Sequence, residues 1–348
     1  MDVRFSPEQQ ALRDSAAQAV DRLGPHTVRD LEDTERAAKL DAAVEASGWR
    51  ELRAAGEGRA PLASAVEAAI IAEEMGRGLA DAPFVGATLA AELRRLVGAP
   101  PATARETVGF VADLSAPAVA DRGTLPAGAV AIDARHSASA LVLVPVEGGH
   151  AVAEVSLDAS IPAEVDLTRP AATIAAGAGM ERLGPVEQPL TADDLRRWTA
   201  LGLGLTSADL VGVMRGVLSV ACEYAGARRQ YGVAIGSFQA VQHMLADACV
   251  AMEGSRSVAL HAAWAVDALA AEEALAATAM AKAYCSRAAR MVCETGIQVH
   301  GGIGNTWDCM AHVYLRRALL AIDVLGGAGA NLQRVLDHNG IGGADGLR

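Results

Sequence analysis

Aromatic residues make up only 3% of this 348-residue sequence. An interior short of rings must be filled by small aliphatic side chains. With alanine abundant, closely packed helices are the favoured outcome, because alanine has the best helix propensity. Basic charge is also short, 30 Lys+Arg against 42 Asp+Glu, for a net charge of −12. That balance argues against nucleic acid or an anionic membrane as the main partner. No apolar run approaches the roughly 18 residues of a membrane span. Residues 1–10 lack the basic-then-apolar order of a signal peptide, so a cytoplasmic location is expected. The five cysteines, Cys222, Cys249, Cys285, Cys293 and Cys309, contain no CxxC pair. Zinc is therefore not expected, and the thiols are expected to be reduced. What the chain does have is 51% hydrophobic residues, enough for a large core and more than one domain.

The patterning predicts an α+β protein, mainly α. Phe5-Ser6-Pro7-Glu8-Gln9 reads as a helix start, with Ser6 as N-cap, Pro7 at the first helical position and Gln9 closing a capping box. Further helical runs at 39–46, 62–75 and 87–96 give an N-terminal helical domain over residues 1–103. Gly98, Pro100 and Pro101 mark a boundary. Short β-type runs follow at 107–111, 129–132, 140–145, 151–155 and 171–174, which predict a small β-barrel or sandwich over residues 104–190. From Thr191 the helical period returns. Runs at 203–227, 237–268, 272–297 and 306–325 predict an antiparallel four-helix bundle over residues 191–348.

Two loops inside that bundle stand out. "RRQYGVAIGSFQ" (228–239) joins two predicted helices. Arg228 can pair with phosphate oxygens in bidentate fashion. Gly232 and Gly236 permit sharp turning, and Tyr231 and Phe238 can flank a planar ring. The plainer reading is a helix-to-helix turn with a surface arginine. "QVHGGIGNTWD" (298–308) joins the next pair. Gly301, Gly302 and Gly304 allow close approach of a ligand, and Thr306 and Asp308 are expected to cap the following helix. Here the plainer reading is a glycine-rich helix end. "GLGLTS" at Gly202 follows no predicted strand and "LGGAGA" at Leu325 ends a helix, so both read as packing or capping.

Taken together the loops resemble the acyl-CoA dehydrogenase family. Residues 224–243, "YAGARRQYGVAIGSFQAVQH", are similar to its "YAxxRxQFGxxIxxFQ" motif, and residues 298–304 to its "QxxGGxG". Val313-Tyr314-Leu315-Arg316-Arg317 is similar to its "LYLRR". The start "FSPEQ" (5–9), Gly48-Trp49, "EEMGRG" (73–78) and "DLTR" (166–169) also fit, so the resemblance spans essentially the whole chain. It implies FAD as cofactor and an acyl-CoA thioester as substrate. It also implies that Arg228, Gln230, Phe238, Gln239, Gln298, Gly301 and Gly302 grip the adenosine diphosphate half of FAD across a subunit interface. Electron-transfer flavoprotein is the electron acceptor that it implies.

The resemblance breaks at the reacting end. The family oxidises an acyl thioester to its 2,3-enoyl form and needs a carboxylate base at C2. Counting from Gln333-Arg334, the usual Glu falls on Gly327. The alternative Glu, counted from Arg228, falls on Gly202. The family's "TEPxAGSD" is not recognisable in residues 110–125. Asp209, two turns beyond Gly202 on the same helical face, is a substitute candidate, as is Asp323 near Gly327. Each also reads as an ordinary solvated or hydrogen-bonded helix residue. His300 reads as a loop residue beside the adenosine half. The expectation is a subunit of a heteromeric acyl-CoA dehydrogenase, similar to those acting on bulky or steroid-type thioesters. A second acyl-CoA dehydrogenase-like subunit would supply the base. The alternatives are a homo-oligomeric flavoenzyme with a relocated base and a non-catalytic scaffolding subunit.

Overall fold

The structure, a computed structural model, describes residues 4–157, 161–163, 165–185 and 189–341. Helix α1 (Pro7–Leu23) begins where the capping box places it. The Gln9 N–H donates to Ser6 Oγ, and the Ser6 N–H donates to the Gln9 side chain. Helices α2 (Thr34–Ala46), α3 (Ala65–Arg77) and α4 (Val85–Val97) complete the first helical segment. α2 starts ahead of its apolar stripe because the Asp33 carboxylate caps the Arg36 N–H.

The middle of the chain forms strands β1 (Glu106–Phe110), β2 (Val130–Ala131), β3 (Ser139–Val146), β4 (Gly149–Ser156), β5 (Ile161–Ala163), β6 (Ala171–Thr173) and β7 (Met180–Leu183). They make one seven-stranded sheet in the order β5-β6-β2-β1-β3-β4-β7. Among these strands β1 and β3 pair in parallel and the other pairs are antiparallel. The predicted barrel or sandwich is therefore corrected to a single open mixed sheet, with β5 and β7 as its ends. One wing consists of two- and three-residue strands, too short to carry the sheet round to closure.

Helices α5 (Ala192–Ala227), α6 (Gln239–Ala268) and α7 (Ala271–His300) are long; α8 (Ala311–Asp323) and α9 (Ala328–His338) are short. The four expected runs are α5 to α8, the last shorter than its expected 306–325, and the further short helix α9 follows Gly326-Gly327. α5 continues unbroken through Gly202 and Gly204. By length and composition it is apolar enough to cross a membrane, yet 78% of its most apolar window is buried inside the protein. It is the central core helix. α3 crosses it almost backbone to backbone: a Cβ at Gly76 would overlap the Asp209 carbonyl, and one at Gly212 the Glu73 carbonyl. That contact sets residue 209 deep inside. One apolar core runs from α1 through α3, α4, β1, β3 and α5 to Val324 and Leu325.

Candidate functional site

The two sequence-predicted loops meet at one end of the bundle. α5 ends at Ala227, and the Arg228 N–H still bonds the Tyr224 carbonyl at 2.8 Å. The chain then makes a miniature hairpin, β8 (Arg229–Gln230) with β9 (Val233–Ala234). Its two turn residues, Tyr231 and Gly232, both have positive φ (50° and 82°), as a tight primed turn requires. α7 ends at His300, followed by Gly301 at φ +66°. His300 stacks on Tyr224 with ring centroids 4.5 Å apart, and Val299 packs with Ala221 and Ala225. This small cluster joins 228–239 to 298–302.

The side chains on this end are poised for a ligand rather than for the fold. Arg228, Gln230, Gln239 and Gln298 are exposed. Among the described residues, none of the four makes a side-chain hydrogen bond or ion pair. A Cβ at Gly301 or Gly302 would meet nothing within 4 Å, so the backbone there lies open. Phe238 is part-exposed, with Tyr231 edge-on at 6.3 Å and itself 94% exposed. A free cation, unpaired amides, accessible backbone and an aromatic face suit a phosphate-bearing ligand with a planar group. The predicted Thr306/Asp308 helix cap is not formed. Thr306 Oγ1 instead donates to the Ile303 carbonyl, and α8 begins only at Ala311 with no side-chain cap.

The candidate bases fare differently. Asp209 is buried with both carboxylate oxygens occupied. Oδ1 accepts from Arg317 Nη2 (2.6 Å) and Nε (3.1 Å), and Oδ2 accepts from Arg169 Nη2 (3.0 Å). Burial alone would raise its pKa, but Arg169 and Arg317 outweigh it and hold the carboxyl below the usual range. Asp209 is a structural anion with no lone pair turned to a substrate. His300 is likewise engaged, with Nδ1 2.7 Å from the Gly296 carbonyl. Asp323 is the freer carboxylate. It is exposed and makes no side-chain hydrogen bond among the described residues. Burial foremost, with Asp113 adding, pushes its pKa up against the pull of Lys282.

At Gly202 the room for a carboxylate is filled. Leu325 lies where a Cβ would stand, and Leu89 is 3.6 Å away. The Leu325 N–H is tied to the Leu114 carbonyl at 2.8 Å, which locks the 324–327 turn onto the turn after β1. Lys282 braces the same turn from below. It is fully buried, and its Nζ donates to Thr206 Oγ1 (3.0 Å), the Val324 carbonyl (3.0 Å) and the Ala321 carbonyl. Burial pulls its pKa down to about 7. The unfolded chain, with an ordinary lysine near pKa 10.4, binds more protons between those values, so this group adds stability as pH rises from about 7 to about 10. Lys282→Met should remove that gain; melting temperatures of both proteins across the range check it, and a wild-type melting temperature that does not rise relative to the variant's from about pH 7 to about 10 shows the assignment wrong.

Sequence reasoning missed three features here. The buried arginines Arg169 and Arg317 lie 148 positions apart and both bind Asp209. Leu325 carried no signal beyond the glycines after it. Lys282 carried no signal either, and only the fold places its ammonium between Thr206 Oγ1 and the Val324 carbonyl.

A family model described as the C-terminal domain of acyl-CoA dehydrogenases matches residues 203–337. Acyl-CoA dehydrogenase IpdE2 of Mycobacterium tuberculosis (strain ATCC 25618 / H37Rv) is 31% identical over 329 residues, covering 89% of this chain and 91% of that protein. Two solved structures share the fold. A variant of the Tcur3481-Tcur3483 steroid ACAD superposes with a TM-score of 0.78 at 24% identity, over 96% of this chain and 98% of that one. The ChsE4-ChsE5 complex from Mycobacterium tuberculosis gives a TM-score of 0.76 at 22% identity, over 98% and 99%.

Proposed function

Because the chain belongs to the acyl-CoA dehydrogenase family, we propose that it is the subunit without a base in a heteromeric dehydrogenase that introduces a 2,3-double bond into an acyl-CoA thioester. The cofactor is FAD, which when bound takes up the hydride from the acyl chain. In this chain Arg228 would pair with its phosphates, Gln230, Gln239 and Gln298 would supply further polar contacts, and Phe238 would lie beside a planar group. Gly301 and Gly302 would let the backbone come close to it.

One observation carries the reading. The end formed by 228–239 and 298–302 is open, while the places for a base are glycine, with Gly202 walled by Leu325 and Asp209 neutralised by two arginines. A pure scaffold has no physical need of the first, and a self-sufficient enzyme would need the second. The base and the flavin-ring contacts would then come from a second, acyl-CoA dehydrogenase-like subunit. Two of the similar structures are named as two-component proteins, one of them a steroid ACAD, which supports an unlike partner and a bulky acyl group. Electron-transfer flavoprotein is the acceptor we propose.

Asp323 favours a second reading, a homo-oligomer with a relocated base, because its carboxylate is exposed beside Gly327 with its proton held more firmly than usual. Flavin absorbance per chain separates the two. Flavin retained only when the chain is purified with its partner, about one per pair of unlike chains, supports the heteromer. Full flavin in the lone chain, with dehydrogenation lost in Asp323→Asn, would overturn it.

A further inference from the structure

α7 packs against both α6 and α9, and one strip of it faces solvent. Met280, Tyr284, Arg287 and Met291 are spaced four, three and four residues apart, which puts them on one face of the helix. All four are exposed, while residues 281–283, 285–286 and 288–289 between them are buried. The strip forms a groove with Ala251 of α6 and Leu332 of α9. Tyr284 lies against α6 where Gly254 makes room, since a Cβ there would stand 2.7 Å from the phenol oxygen. The rim is apolar too: Val250 on α6 is 72% exposed, and Leu336 on α9 is exposed. A small ligand in the groove would leave that rim wet. An exposed apolar surface shared by three helices fits a protein contact.

One charge stands in the groove. Arg287 makes no hydrogen bond or ion pair among the described residues, and no carboxylate lines the groove. Arg290 beside it is bonded to Glu294 at 2.9 Å. Covering Arg287 with nothing opposite would bury an unpaired guanidinium. Groove against groove, a second copy of this chain would bury two such guanidiniums without a carboxylate, and would join two chains of net charge −12. An unlike subunit can bring the missing acid. Alternating steps of three and four suit a helix laid alongside. The same steps lead on through Glu294 to Gln298, about 10 Å beyond Met291 at a rise of about 1.5 Å per residue. A helix laid along the whole strip therefore ends beside the open 298–302 loop. We propose that this groove seats the second, unlike subunit, which lays an apolar helix along α7 with a carboxylate against Arg287. The seat presupposes the unlike partner of the heteromeric reading above.

The test uses the assembly purified through a tag on this chain, its chains weighed by native mass spectrometry. Hydrogen peroxide converts accessible methionines to sulfoxides, which peptide mass spectrometry reads one methionine at a time. Met280 is 50% exposed and Met291 39% exposed in the chain by itself, and Met75 is buried. In the assembly Met280 and Met291 should oxidise as slowly as Met75. Arg287→Ala should weaken the assembly roughly 30-fold, as the loss of a central interface arginine does. Arg287→Glu should weaken it further, because it sets like charges face to face. Dissociation on dilution measures both, and unchanged helical circular dichroism shows that the variants fold. Unlike chains with Met280 and Met291 oxidised well ahead of Met75 would overturn the seat and leave the heteromer standing. An assembly without an unlike chain would overturn both. Arg287→Glu no more damaging than Arg287→Ala would remove the facing carboxylate, and the proposal with it. The methionine rates decide alone if a variant does not fold.

Discussion

Replacing Asp209 with alanine should cost about 3–5 kcal/mol of stability, because removing one member of a buried ion cluster strands the others. The stranded groups are severe ones. Arg317 also donates to the Ala80 carbonyl (2.9 Å) and Thr168 Oγ1 (3.2 Å), so it cannot swing out to water without breaking those bonds. Arg169 is equally buried, with Asp166 3.2 Å away, and its pKa is driven above its ordinary value by Asp209 first, then Asp133 and Asp166, against the cost of burial. Against a typical total of about 5–15 kcal/mol, the loss should be visible as a large drop in the urea midpoint. Asp209→Asn keeps the shape and one acceptor and should lose less. Because the folded carboxyl titrates below its unfolded value, its contribution is complete above about pH 4 and lost as pH falls through the folded value. A catalytic base would behave in the opposite way: Asp209→Ala would melt normally and lose turnover. That result would restore Asp209 as the base and undo its assignment as a structural anion.

Arg228→Ala in the assembled complex should weaken flavin retention roughly 10- to 100-fold, since a charge-assisted contact to phosphate contributes about 1.5–3 kcal/mol. Stability should hardly move, because Arg228 is exposed and its guanidinium bonds nothing in the described fold. Arg228→Lys keeps the charge but not the planar fork, and should recover only part of the affinity. Flavin fluorescence released on dilution measures all three proteins. If Arg228→Ala kept its flavin as wild type does, the 228–239 loop would be a plain helix connection, and the cofactor role of Gln298 and Gly301 across from it would lose its chief support.

The helix starts at Ser6 and Thr191 were legible because capping is local: the groups that bond lie three residues apart. So were β1, β3 and β4, whose apolar runs are long enough to show a pattern. β5, β7 and α9 were not, being too short or too polar to stand out from their turns. The expected run at 203–227 falls short of α5, which begins at Ala192. In the fold Gly202 and Gly204 are buried, and packing outweighs propensity.

For the candidate site the division has the same cause. The sequence by itself determined the family, the two loop motifs at 228–239 and 298–304 and the glycines at 202 and 327, since each is a run of neighbours or a count from one. Only the tertiary structure decided that Asp209 is spent between Arg169 and Arg317, that Leu325 fills the space over Gly202, and that Lys282 braces the 324–327 turn. Those facts depend on side chains brought together from separate helices and the sheet, and on packing at distances that no local pattern encodes.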